Sequence, residues 1–158
     1  GRYFAESSHT LVLNVIGKKN VIDEQTGEKT IIYYLNDGIY GSFGCIYFDH
    51  HNPVILPFNE RNDKVHRSRL FGPTCDSIDL ISDEIMLPEL AIGEWVYVEN
   101  FGAYTVASSS NFNGFKTSVF KYIFRYFSVK SFHQFYLDSQ ILRLSQMLTY
   151  KLFCPCNF

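Results

Sequence analysis

Cys75 and Asp76 stand side by side in the stretch FGPTCDSIDLISDEIMLPEL, residues 71–90, a thiol and a carboxylate just past a Gly-Pro turn. A thiol in a loop can give up a proton, attack an electrophile, bind a metal or close a disulfide. The other cysteines are Cys45, Cys154 and Cys156, so Cys75 has no partner at the two-to-four-residue spacing of a zinc site. Read from residues alone, Cys75 fits a small buried hydrophobe, and Asp76 fits a solvated carboxylate or a cap for a helix after it. Asp49, His50 and His51 have metal-ligand chemistry, but adjacent residues on a strand point to opposite faces. No G-x-S-x-G or G-x-G-x-x-G pattern occurs, and five scattered histidines name no catalytic triad.

The elements that must position these groups lie in a chain of 158 residues, long enough for one domain with a core. A hydrophobic fraction of 46% and a charged fraction of 19% fit a soluble globular protein. The net charge of -2 gives no reason to expect nucleic acid, and no run approaches the 18 apolar residues of a membrane span. Charge is uneven: residues 120–158 carry five Lys and Arg against Asp138, which leaves the first 119 residues acidic. Cys154-Pro-Cys156 is too tight for an ordinary bridge, and no secretory signal opens the sequence. Reduced thiols in a cytoplasmic protein are therefore expected. The sequence opens on Gly rather than Met and reads as a piece of something larger.

From Ser7 to Lys19, apolar residues at Leu11, Val12, Val15 and Ile16 have helical spacing behind a serine N-cap. Strand, Thr26-Gly27 turn and strand follow, rich in Val, Ile and Tyr. The segment GIYGSFGCIYFDH predicts a further strand region, and VIL between Pro53 and Pro57 an edge strand. Residues 59–69 read as a polar loop. The acidic stretch after Cys75, closed by Pro88, reads as a short helix or turn, and GEWVYVEN as a strand. The whole is mainly β. Residues 120–158 differ: eleven of the 39 are Phe or Tyr, and SQILRLSQMLTYKLF has the pattern of a helix.

The motifs GRYF (1–4), LNDGIYGSF (35–43), FDH (48–50), GPTCDSID (72–79), LPEL (87–90), GEWV (93–96), NFGAYT (100–105) and FNGF (112–115) occur in that order. As a set they resemble the C-terminal half of the eukaryotic ornithine decarboxylases. These are pyridoxal-phosphate-dependent enzymes of the ornithine, diaminopimelate and arginine decarboxylase family. The resemblance implies an alanine-racemase-like C-terminal β domain over residues 21–119. Residues 1–20 would be the end of the last strand of an α/β barrel and its helix, the rest of the barrel lying upstream. Residues 120–158 match nothing in the family, although TSVFKYIF, residues 117–124, could continue as a final strand.

The resemblance also assigns roles. Gly1 and Arg2 would meet the cofactor phosphate, which asks for an arginine fork and a backbone N–H, and Tyr104 would touch the cofactor as well. Asp49 and Asp76 would receive the distal ammonium of a diamino acid, Asp76 favouring ornithine. Cys75 would lie near the substrate α-carbon and serve its protonation after loss of CO₂. Tyr40 and Phe112 would line a subunit interface of a homodimer whose sites are shared, Cys75 and Asp76 reaching into the partner's barrel. Phe48 departs from the tyrosine usual before this aspartate. The lysine that binds the cofactor covalently belongs upstream of Gly1, so the chain alone is expected to be inactive. A non-catalytic relative resembling antizyme inhibitor, binding the regulatory protein antizyme, is the alternative; the retained GAYT speaks for the enzyme.

Overall fold

The protein is described by a computed structural model over residues 1–22, 27–59 and 61–122. The chain divides into two units, Gly1–Val119 and Phe120–Phe158, and the fold described below is that of the first. A short helix α1 (Arg2–Ala5) and a 3₁₀ turn lead into β1 (Leu11–Ile22) and β2 (Lys29–Leu35). After α2 (Cys45–Phe48) come β3 (Ile55–Pro57), β4 (Val65–Phe71), β5 (Leu80–Pro88) and β6 (Trp95–Val98). The six strands form one sheet in the order β3-β6-β1-β2-β4-β5, and its two edge strands approach each other. Among the described residues no helix is long and apolar enough to cross a membrane.

β1 organises this sheet, and it corrects the helix expected over residues 7–19. Leu11, Leu13 and Val15 recur every second residue, and Leu13 and Val15 are fully buried. Val12, Val15 and Ile16 are β-branched and Asn14 and Gly17 are weak helix formers, so two open strand edges outcompete the helical spacing. Leu11–Asn14 pair with β6, whereas the remainder pairs with β2. The register slips between Val15 and Gly17. Such a bulge sharpens the local twist where β1 passes from pairing with β6 to pairing with β2, both antiparallel to it. Because β1 runs to Ile22, the boundary expected at residue 20 falls inside a sheet strand.

Other elements differ as well. GIYGSFGCIYFDH forms turns and α2 rather than a strand, since its glycines pack against neighbouring polar groups instead of pairing in a ladder. The loop expected over 59–69 gives way to β4 from Val65, and the acidic stretch is β5, its Asp83 and Glu84 exposed and Ile81 and Leu87 buried. GAYTVASSS adopts a 3₁₀ turn at Val106–Ser108, and Thr117–Tyr122 are not strand. Asp23–Thr26, which include the first residue of the expected Thr26-Gly27 turn, and the expected helix over 139–153 lie outside the described residues. The edge strand before Pro57, the strands flanking residue 26 and the strand after Glu94 are as expected.

The core joins Leu13, Val15, Ile31, Tyr33, Leu35, Leu70, Leu87, Val96 and Val98, all nearly inaccessible. Tyr33 is buried to its hydroxyl, which accepts the Leu90 N–H at 2.9 Å; burial pushes its pKa up. The same turn is tied from outside by Glu89, which accepts from Lys18 at 2.7 Å and Lys29 at 2.9 Å. Those two ammonium groups pull the Glu89 carboxyl down to about 2. A carboxyl held lower in the folded state adds stability above its unfolded value and loses it as pH falls. Glu89→Gln should therefore destabilise the chain at neutral pH, and the difference from the parent should fade between roughly pH 4.5 and about 2. Urea midpoints for both proteins across that range check it. A pH-independent difference would show that the Lys18 and Lys29 pairs are not its source.

Candidate active site

Two groups of polar side chains gather the residues singled out in the sequence. The first is built on the N-terminal segment. Glu6 and His9 carbonyls accept the N–H groups of Gly102 at 3.0 Å and Phe101 at 2.9 Å, fastening the GAYT turn beside α1. Arg2 thereby lies over the Tyr104 ring, 4.9 Å from its centroid. Its guanidinium donates to Asp49, at the end of α2, and lies 3.5 Å from Glu6. The Asp49 bond and the two carboxylates raise the Arg2 pKa. Tyr104 is 60% exposed with φ of 57°, a left-handed conformation uncommon for a residue with a side chain. His50 and His51 do not join Asp49: His51 packs against the Phe101 ring at 5.9 Å.

The second group lies on the loop between β4 and β5. Cys75 is exposed; the buried thiol is Cys45, whose pKa burial pushes up to about 11. The buried-hydrophobe reading thus suits Cys45 and fails for Cys75. Asp76 accepts the Tyr40 hydroxyl at 2.5 Å and the Ile78 N–H at 3.0 Å. These donors, the phenol foremost, hold the Asp76 carboxyl below its usual range, and the same bond pushes the Tyr40 phenol up to about 12. Phe112 stacks on Tyr40 with centroids 4.1 Å apart. Asn113, next in sequence, points its amide at the Cys75 sulfur, 3.8 Å away. Cys75, Asp76, Tyr40 and Phe112 therefore come together, whereas Asp49 belongs with Arg2 and Tyr104. Within the chain Asp49 is bonded to Arg2 and Asp76 to Tyr40.

Two aspartates that sequence reading passed over hold this second group in place. Asp79 is buried and bridges two loops: it accepts the Ile39 N–H at 2.8 Å, the Thr74 N–H at 3.0 Å and the Thr74 hydroxyl at 2.7 Å. Asp37, also buried, takes the N–H groups of Gly38 and Ser42 and the hydroxyls of Ser42 and Ser118. Gly38 and Gly72 permit the approach, since a Cβ on Gly38 would stand 2.7 Å from Gly72 Cα as well as striking the Asp79 carboxylate. Both aspartates lie inside the motifs LNDGIYGSF and GPTCDSID. An acid beside Gly or Thr donors was the available signal; the long-range partner was not.

Residues 3–102 match the family described as pyridoxal-dependent decarboxylase, C-terminal sheet domain. The chain belongs to this family. It is 50% identical over 133 residues to the ornithine decarboxylase of Schizosaccharomyces pombe, covering 78% of this chain and 30% of that protein. It is also 45% identical over 130 residues to antizyme inhibitor 2 of Xenopus laevis, covering 77% and 28%. Among solved structures, the lysine/ornithine decarboxylase of Vibrio vulnificus complexed with putrescine superposes with a TM-score of 0.65 at 37% identity, over 75% of this chain and 30% of that one. The chain thus spans under a third of the length of each.

The Arg2 group suits the phosphate end of pyridoxal phosphate: an accessible guanidinium beside an exposed phenol, with the backbone of Gly1 alongside. Partly exposed ion pairs contribute little, so a phosphate dianion can displace the Asp49 and Glu6 carboxylates from Arg2.

Asp79 offers a direct check on the scaffold. Asp79→Ala leaves the Ile39 and Thr74 N–H groups without their acceptor in a buried loop junction. Global stability should fall by about 3 kcal/mol, and the Tyr40 hydroxyl should lose its hold on Asp76. Denaturant unfolding gives the first quantity. Alkaline titration of tyrosine absorbance gives the second, as a Tyr40 step that moves down from about 12. A change under 1 kcal/mol with an unmoved titration would mean that Asp79 does not set the loops.

Proposed function

We propose that this chain is the C-terminal part of a pyridoxal-phosphate-dependent ornithine decarboxylase, which converts L-ornithine to putrescine and CO₂ as a step of polyamine synthesis. The observation that carries the reading is the separation of the functional side chains into two groups on one chain. Arg2, Tyr104 and Asp49 form one; Cys75, Asp76, Tyr40 and Phe112 form the other. A homodimer in which one chain's first group faces the partner's second group supplies both halves of a complete site. Gly1, Arg2 and Tyr104 then hold the cofactor phosphate. Asp49 and the partner chain's Asp76 receive the distal ammonium from opposite sides, and charge pairing in a partly dry site favours two acids around one cation.

Bound pyridoxal phosphate supplies the electron sink for loss of CO₂. Cys75 holds the proton for the α-carbon at its sulfur, and being exposed on its own chain it is free to enter a site on another. Phe48, 78% exposed before Asp49, brings no hydroxyl to the amine end. The similarity to antizyme inhibitor 2 of Xenopus laevis favours a second reading, a non-catalytic regulator that binds antizyme. Arg2, Tyr104, Cys75 and Asp76 together support the enzyme. Cys45 and Cys75 are unpaired thiols, which supports a reducing, cytoplasmic setting.

The chain by itself should neither bind pyridoxal phosphate covalently nor decarboxylate ornithine, because the lysine for that bond belongs to the upstream barrel. A borohydride-reducible adduct on this chain would contradict it. In the full-length protein, Asp76→Ala should lower kcat/KM by the equivalent of about 2–5 kcal/mol while cofactor binding persists. Mixed with a variant lacking the barrel lysine, it should regain about a quarter of parental activity, since half the dimers are hybrids with one intact site each. No recovery despite proven subunit exchange would place Asp76 within its own subunit's site. A full-length protein that binds antizyme without decarboxylating ornithine would decide for the regulator.

A further inference from the structure

The loop Phe112–Gly114 contains a side chain that none of the roles above uses. Asn113 sits at φ of 53°, in the left-handed region, and Gly114 follows at 78°. Asparagine tolerates that conformation better than most residues with a side chain. Its consequence is directional: the Asn113 amide nitrogen comes 3.8 Å from the Cys75 sulfur, across a gap of 38 residues in sequence. The loop does not hang on that contact alone. Phe112 is stacked on Tyr40, whose hydroxyl is bound to Asp76, beside Cys75. The Phe115 and Gly114 N–H groups bond back to Phe112 and Asn111, closing the turn on itself.

We propose that Asn113 is a positioning residue for the Cys75 thiol, aiming the sulfur through an N–H donated from the side-chain amide. An amide donor stabilises a thiolate more than a thiol, because the hydrogen bond gains strength when its acceptor is charged. An exposed cysteine otherwise rotates freely about its side-chain bond, and one fixed donor selects the rotamer that presents sulfur beside Asp76. The residue acts through Cys75 and touches no reacting atom itself. This rests on the reading of Cys75 as the group that delivers the α-proton, and deepens it by naming what orients that group.

The test uses the full chain and reads the sulfur directly. Alkylation of Cys75 by iodoacetamide is followed from pH 6 to 9 by peptide mapping, which separates it from the other three cysteines. Asn113→Gly keeps the left-handed backbone available and removes the amide; Asn113→Asp keeps shape and replaces the donor with a carboxylate. Since the thiolate is the nucleophile, Gly should slow alkylation near neutral pH by about fivefold, and Asp by more. Thermal melting close to the parent's shows that the fold is kept. Parental profiles in both variants would overturn the inference, as would a rate loss in Gly that Asp restores. The proposed function is judged separately: in the full-length enzyme, Cys75→Ala that abolishes correct turnover supports that function even if the alkylation profiles do not move.

Discussion

The meeting of Tyr40, Cys75 and Asp76 hangs on the carboxylate of Asp79. It is buried where the crossover after β2 meets the loop between β4 and β5, and it satisfies donors from both. Backbone N–H groups buried in a loop junction need acceptors, and no sheet ladder is available there. With Asp79 in place, Ile39 and Thr74 are fixed, and the side chains next to each, Tyr40 on one loop and Cys75 and Asp76 on the other, are brought together. The bond between Tyr40 and Asp76 is thus a result of the buried one.

The sheet supplies the rigidity that this junction borrows. β1 lies between β6 and β2, so the N-terminal segment that carries Arg2 is anchored through the strand on which the whole sheet turns. The GAYT turn after β6 is bonded back to the same segment. Tyr104 and Arg2, far apart in sequence, are held at the same end of one strand pair, where Leu11 lies opposite Val98. Polar function sits on loops and turns, and the sheet beneath them is apolar and closed nearly all round.

Much of the sheet was legible in the sequence because Tyr33, Ile31 and Leu35, or Val96 and Val98, alternate as a half-buried strand must. The failures have physical causes. In β1 the apolar residues satisfy both periods, and only pairing with β6 and β2 decides between them. In β5 the core-facing Ile81 and Leu87 are separated by Ser82, Asp83 and Glu84, while irregular register against β4 breaks the alternation. The candidate site was legible through its motifs alone: nothing in the spacing of Cys75, Tyr40 and Phe112 announces that they meet. Asp79, Asp37 and Asn113 were passed over because their roles are long-range hydrogen bonds, which leave no local pattern.

β2 and β4 run parallel, and parallel neighbours need a long crossover, here residues 36–64, which also holds α2 and β3. Tyr40 and Asp49 both ride on it. Closing such a connection costs chain entropy before any contact repays it, so local hairpins such as β4–β5 have the head start during folding. The crossover reaches its final path only once β4 lies beside β2 and the acceptor on Asp79 is there to receive it. The topology thus favours an order of assembly in which the hydrophobic framework precedes the loops that carry the chemistry.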